Sequence, residues 1–272
     1  MRRFMPGEEL ADALAAASEL EREGCTSVVT ALGENVADEA AARAVARHYE
    51  QALAQIVAQD LDCELSVKPT HLGLDLSKEL AQQALTTLAA RSAAAGRTLW
   101  IDMESSAYTD ATLELYRTLL ERTERLGVCL QANLRRTAAD LAALRPLGAT
   151  VRLVKGAYLE PASVAFTRKS EVDTSYAGLA AQLLDDGWRR VAIATHDPRL
   201  IATLRERVRG HASAEFQMLY GIRRETQRSL LRAGVPLRVL ISYGPEWFPW
   251  YMRRLAERPA NVLFLLRSLV AR

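Results

Sequence analysis

The chain has 272 residues, 49% of them apolar, enough to bury one sizeable core and slightly above the usual single-domain size. Its 35 basic and 33 acidic side chains are scattered and nearly cancel, which excludes the basic footprint of a nucleic-acid-binding protein. No apolar run approaches the roughly 20 residues needed to span a bilayer, the opening MRRFMPGEEL turns acidic where a signal peptide would be apolar, and Cys25, Cys63 and Cys129 show no CxxC spacing. The expectation is a cytosolic protein without a disulfide framework or structural zinc, its cysteines acting as small buried hydrophobes.

An amphipathic helix is predicted near residues 7–23. Beyond it, short β-rich apolar runs alternate eight times with longer segments of helical spacing. The predicted strands are 27–32, 64–69, 98–103, 128–133, 150–156, 190–196, 214–219 and 237–242, and residues 113–127 show the clearest helical spacing between two of them. Gly127, Gly148, Gly187 and Gly234 read as helix C-caps just ahead of strands. Alternation of this kind implies parallel strands joined by helical crossovers. Eight units in this length predict an α/β fold, a closed (β/α)8 barrel with an extra N-terminal helix; an open doubly wound sheet is the alternative. The count and the lack of a GxGxxG turn favour the barrel. No linker divides the chain, so residues 1–272 are expected to form one domain.

In a barrel the chemistry sits at the C-terminal ends of the strands. Those ends carry Lys68 on the second strand, Asp102, Met103 and Glu104 on the third, and Gln131 and Asn133 on the fourth. Arg152, Lys155 and Gly156 follow on the fifth, Thr195 and His196 on the sixth, and Gln217 on the seventh. Any one polar residue here can be a loop anchor. Ionisable groups from four strands converging on one mouth, however, would be costly to bury without a ligand. In the final segment, PEWFPWYMRRLAERPANVLFLL, Arg253, Arg254 and Glu257 fall within one helical turn. Glu257 can brace an arginine while the paired guanidiniums capture a carboxylate or phosphate; a solvated basic face is the alternative. His48, His71, His196 and His211 are dispersed, so no metal centre is expected, and there is neither a GxSxG elbow nor a P-loop. Of the four histidines, only His196 is placed where a functional role is expected.

The segments SVKPTHLGL (66–74), WIDMES (100–105), RLVKGAYLEP (152–161), ATHD (194–197), EFQMLYGI (215–222) and MRRLAERPANV (252–262) run in order over nearly the whole chain. They closely resemble the motif set of the proline dehydrogenase family. The resemblance implies a barrel flavoenzyme with noncovalent FAD that takes hydride from the ring carbon next to the amine of L-proline. The product would be Δ1-pyrroline-5-carboxylate, and the electrons would pass to a membrane quinone. On this resemblance Arg253, Arg254 and Lys68 clamp the substrate carboxylate, with Glu257 as the brace, and Asp102 is the active-site acid. Arg152 lies against the flavin, and Met103, Gln131, Lys155, Gly156, Ala157, Thr195 and His196 line the FAD site. Tyr158 and Leu219 pack around the substrate ring, and Glu34 pairs with Arg253 and gates the pocket. The chain is too short to include the aldehyde dehydrogenase of bifunctional members, so the product is expected to pass to a separate enzyme. Peripheral membrane contact is implied for quinone access, although the acidic N-terminal helix is a poor match to a basic interfacial anchor.

The sequence departs from the family at VLISYG, where Leu240 replaces a usual tyrosine and Ser242 a common proline. That change puts specificity for unmodified proline in question and raises a substituted ring such as 4-hydroxyproline as a substrate. A rival from another class is an aldolase-like Schiff-base lyase using Lys155 or Lys68. A third reading is a binding protein that keeps the fold without turnover, against which the presence of Asp102, Arg152 and the arginine pair speaks.

Overall fold

The computed structural model describes residues 4–185 and 187–246. Its strands are β1 Thr26–Ala31, β2 Cys63–Val67, β3 Leu99–Ile101, β4 Leu126–Gln131, β5 Thr150–Val154, β6 Arg190–Ala194, β7 Ala214–Leu219 and β8 Leu237–Tyr243. They form a closed barrel in chain order, with β1 and β8 paired in parallel across the seam. The helices are α1 Leu10–Arg22, α2 Glu39–Ala58, α3 Lys78–Ala94, α4 Thr109–Leu120, α5 Thr137–Leu144, α6 Lys169–Asp185, α7 Pro198–Gly210 and α8 Arg224–Arg232. The (β/α)8 barrel expected from the alternation is therefore the observed architecture, and α1 is the extra helix. Among the described residues, no helix is long and apolar enough to cross a membrane.

Local chemistry sets the helix starts. Asp38 accepts the N–H of Ala41 ahead of α2 and Ser77 that of Leu80 ahead of α3. Asp197 accepts that of Arg199 ahead of α7, where Pro198 supplies a preset φ. Gly148 and Gly234 adopt the left-handed conformation read from the sequence, at φ 60° and 67°. Gly127 does not. Gly127 lies inside β4, and a Cβ there would fall 2.4 Å from the Trp100 ring, so its role is to make room for an indole inside the barrel. Helix α4 accordingly ends at Leu120, short of the predicted 127.

The main core lies between the barrel and its helices and includes all three cysteines, buried and unbridged. Burial raises their thiols to about 12 at Cys25 and Cys63 and about 11 at Cys129, in keeping with inert hydrophobes. Inside the barrel the apolar filling is small: Val28, Trp100 and Ala192, with Leu240 packed against them. Below it sits a charged floor. Arg190 bonds Glu64 (2.6 Å) and Glu215 (2.8 Å), the Trp100 indole N–H donates to Glu64 (2.7 Å), and Arg238 lies 3.3 Å from Glu215. Two carboxylates and two guanidiniums balance, which is the condition for burying them.

Candidate active site

Asp102 and Arg152 meet at the C-terminal mouth of the barrel. The N–H of Asp102 donates to the Val67 carbonyl (2.9 Å), extending the β2–β3 pairing by one residue and aiming the carboxylate inward. Its Oδ1 accepts Arg152 Nη2 at 2.6 Å and Ser66 Oγ at 3.0 Å. Arg152 also donates to Ser66 Oγ (2.6 Å) and Gln217 Oε1 (3.1 Å), and its guanidinium lies 4.9 Å from the Trp100 ring centroid. Arg152 is 2% exposed whereas the Asp102 side chain is 19% exposed. Oδ2 of Asp102 makes no hydrogen bond among the described residues, so the carboxylate keeps one face for a ligand.

Lys68, one residue beyond β2, donates to Glu34 Oε2 (3.0 Å) and to the Gly33 carbonyl (3.4 Å), and Tyr158 Oη donates to the same Glu34 oxygen at 3.2 Å. Loops after β1, β2 and β5 thus close over one side of the mouth. Lys68 and Tyr158 are partners of Glu34 among the described residues, and its expected pairing with Arg253 falls outside them. Arg253, Arg254 and Glu257 lie outside the described residues. Leu219, at the end of β7, and Leu240, its partner in the middle of β8, are half-buried and flank this side.

The opposite side, over β4 to β6, carries the other predicted residues. Gln131 donates to the Glu104 carbonyl (2.8 Å), and the Glu104 carboxylate accepts the N–H and hydroxyl of Thr70, at 3.0 and 2.5 Å. Burial raises the Glu104 carboxyl despite those bonds. Glu104 therefore braces the β2 and β3 loops rather than facing the mouth, and Met103 beside it is buried. Thr195 accepts the N–H of Asp197 (3.1 Å), and His196 Nε2 accepts that of Leu219 (3.0 Å), which places the proton of a neutral ring on Nδ1. Gly156 has φ +106°, and a Cβ there would fall 2.1 Å from Asn133 Oδ1, a buried oxygen with no hydrogen-bond partner among the described residues. Ala157 beside it is exposed.

Lys155 bridges Asp173 and Asp197, the latter at 2.8 Å. Burial opposes ionisation of Asp197, but the bonds from Lys155 and from the Arg199 N–H outweigh it and bring the carboxyl down to about 2. A Schiff-base lysine is activated by apolar burial or a neighbouring cation; Lys155 and Lys68 are both flanked by carboxylates instead. Among the described residues, no cluster of three or more His, Cys, Asp or Glu could hold a metal ion. Ser66, Asp173 and the unpartnered oxygen of Asn133 escaped the sequence reading. Asn133 alone left a signal there, as a polar residue at a strand end.

The family model described as Proline dehydrogenase matches residues 13–267. The chain is 40% identical over 274 residues to Proline dehydrogenase 1 of Bacillus subtilis, covering 99% of this chain and 90% of that one. It is 35% identical over 277 residues to Proline dehydrogenase of Deinococcus radiodurans, covering 98% and 89%. Among solved structures, a proline utilization A protein from Bdellovibrio bacteriovorus, inactivated by N-propargylglycine, superposes with a TM-score of 0.86 at 24% identity. That match covers 93% of this chain and 32% of the longer one. The Bradyrhizobium japonicum protein of the same name, in a mutant form, gives 0.80 at 23% identity, over 94% and 30%. These structures share the fold, and the sequence matches carry the kinship: the chain belongs to the proline dehydrogenase family.

Proposed function

We propose that the protein oxidises L-proline to Δ1-pyrroline-5-carboxylate with bound FAD and passes the electrons to a quinone, its product going to a separate aldehyde dehydrogenase. The observation that carries this reading is the Asp102–Arg152 pair beside Lys68 at the barrel mouth, in a chain of this family. A flavin presents N–H donors and carbonyl acceptors on the edge of a flat apolar ring. The side over β4 to β6 suits such a group: Asn133 offers an unsatisfied acceptor that lies directly against the Gly156 backbone, where a residue with a Cβ would displace it, and Gln131, Lys155, Thr195 and His196 add polar atoms on the same side. When bound, FAD supplies the two-electron acceptor that no side chain here can provide.

The chain's own groups have separate tasks. Lys68, with Arg253 and Arg254 of the final segment, neutralises the substrate carboxylate, and its release from Glu34 would exchange one anion for another. The free Oδ2 of Asp102 is available to hold the ring N–H while the bond to the adjacent carbon becomes an imine. The reaction removes one hydride from that carbon and one proton from nitrogen. Arg152 supplies fixed positive charge where negative charge develops on the acceptor. Glu34 and Tyr158, linked to each other, cover the substrate side and exclude water.

A second reading concerns the ring. Ser242 and Thr30 face each other across the β1–β8 seam, and among the described residues neither buried hydroxyl has a partner within hydrogen-bond geometry; the Tyr49 hydroxyl accepts the N–H of Ala31. With Leu240 in place of a phenol one pleat below, that wall suits a polar ring substituent, as in 4-hydroxyproline.

The test is the visible spectrum of the purified protein, followed anaerobically as substrate is added. Flavin bands that bleach with proline support the first reading. Bands that bleach only with 4-hydroxyproline, with preference returning to proline in Leu240→Tyr, support the second. No flavin after reconstitution with FAD rejects both. In the same assay Gly156→Ala is expected to lose at least tenfold in FAD affinity, because its Cβ would collide with Asn133 in a backbone conformation that alanine resists. Flavin retained through desalting as in the wild type would contradict the cradle.

A further inference from the structure

The charged floor of the barrel is separated from the mouth by the Trp100 layer, yet Gln217 links them by hydrogen bonds. Gln217, 3% exposed on β7, donates from Nε2 to Glu215 Oε1 (2.7 Å) and accepts at Oε1 from Arg152 Nη1 (3.1 Å). An uncharged amide donates at one corner and accepts at the other, and its orientation follows from its neighbours. Here the neighbours leave no choice. Glu215 can only accept and Arg152 can only donate, so a flipped amide would set NH2 against guanidinium and carbonyl against carboxylate. Glu215 is itself pinned from below by Arg190 (2.8 Å) and Arg238 (3.3 Å).

The consequence lies at Arg152. Its Nη2 is tied to Asp102 and Ser66, on the β2–β3 side of the barrel, and its Nη1 to Gln217, on β7. Anchors on opposite walls stop a planar guanidinium from rotating, whereas anchors on one wall would let it swing. We infer that Glu215 and Gln217 form a positioning relay that transmits the fixed polarity of the barrel floor to Arg152, holding its guanidinium and the free Oδ2 of Asp102 in the orientation the oxidation needs. The relay rests on the reading above, in which these two groups face the flavin and the substrate. It assigns Gln217 a part in the reaction without contact with either.

The test uses the FAD-loaded protein with Gln217→Met, which keeps length and approximate volume but neither hydrogen bond, and Gln217→Glu, which sets a second carboxylate against Glu215 and competes with Asp102 for Arg152. Stopped-flow flavin reduction, kcat and KM for proline, and the flavin midpoint potential are read for each. For Gln217→Met the expected result is a kcat at least tenfold lower, KM for proline within about twofold of wild type, and a more negative potential, because a misdirected cation stabilises the reduced ring less. Gln217→Glu should shift the potential further in the same direction. Wild-type kcat and potential in Gln217→Met, with only thermal stability reduced, would make Gln217 structural and overturn the relay. If Gln217→Met does not fold, an unchanged potential in Gln217→Glu overturns it equally. A wild-type flavin that no cyclic amino acid reduces would instead reject the underlying function, so the two failures are distinct.

Discussion

Asp102→Ala is expected to destabilise the protein more than Arg152→Met, by about 3–5 kcal/mol against about 1–3 kcal/mol, although both remove the same ion pair. The asymmetry follows from burial. Arg152 is 2% exposed; without Asp102 its charge would be left with only the neutral acceptors Ser66 and Gln217 in a place water does not reach. The Asp102 side chain, 19% exposed, lies at the open end of the barrel, where solvent and Ser66 can solvate it once the guanidinium is gone. Asp102→Asn should fall between, since its amide oxygen can still accept from Arg152 without balancing the charge. Activity should not follow the same order. All three variants are expected to lose at least a hundredfold in kcat/KM, because each removes a charge aimed at the reacting atoms. Urea unfolding at pH 7 with unchanged m-values reads the stability order. An Arg152→Met that is as destabilised as Asp102→Ala would show that packing around the guanidinium, not charge balance, sets the energetics of the mouth.

How much of this was legible beforehand depends on the range of the interaction. The eight strands declared themselves because each is a short apolar run bounded by turn chemistry, and β7 was placed to the residue at Ala214–Leu219. Lys68, Asp102 and Arg152 were found at the mouth because a barrel directs strand ends there. What could not be read were pairings set by strands far apart in the chain. Gly127 looked like a helix cap, since nothing local reveals that the Trp100 indole occupies the space where a side chain would stand. Glu104 and Asp102, two residues apart, point to different tasks: one ties down the loop at Thr70 and the other meets Arg152, and only the three-dimensional pairing separates them. The charged floor was invisible for the same reason. Glu64, Arg190, Glu215 and Arg238 come from four strands, and their neutrality is a property of the closed barrel.

His71 gives a case where such a hidden setting has a measurable sign. It follows β2 and lies under the β1–α2 loop that carries Glu34; a Cβ on Gly33 would fall 2.3 Å from its Nε2, so the ring is pressed against that loop. Its surroundings are Lys68, Glu34, His48 and the edge-on ring of Tyr49, and its Nδ1 has no hydrogen-bond partner. Burial first, and then the Lys68 charge, push the imidazole down to about 4 from an ordinary 6.5. Between those values the unfolded chain holds a proton that the folded one does not. Stability therefore falls as pH falls from about 6.5 toward 4, by roughly 3 kcal/mol if the depression is fully expressed. Other groups titrate nearby: His48, also lowered by burial, adds to the trend, whereas Glu104, raised by burial, works against it. Asp197, held near 2, loses its contribution only as pH drops below the ordinary carboxylate range. The informative quantity is thus the difference between wild type and His71→Gln, not either curve alone. In urea unfolding from pH 7.5 to 4, the variant should lose most of the His71 slope and gain on the wild type steadily as the solution is acidified. Parallel curves would mean that the imidazole takes up its proton in the fold over the same pH range as in the unfolded chain, and that the β1–α2 loop accommodates a second cation beside Lys68.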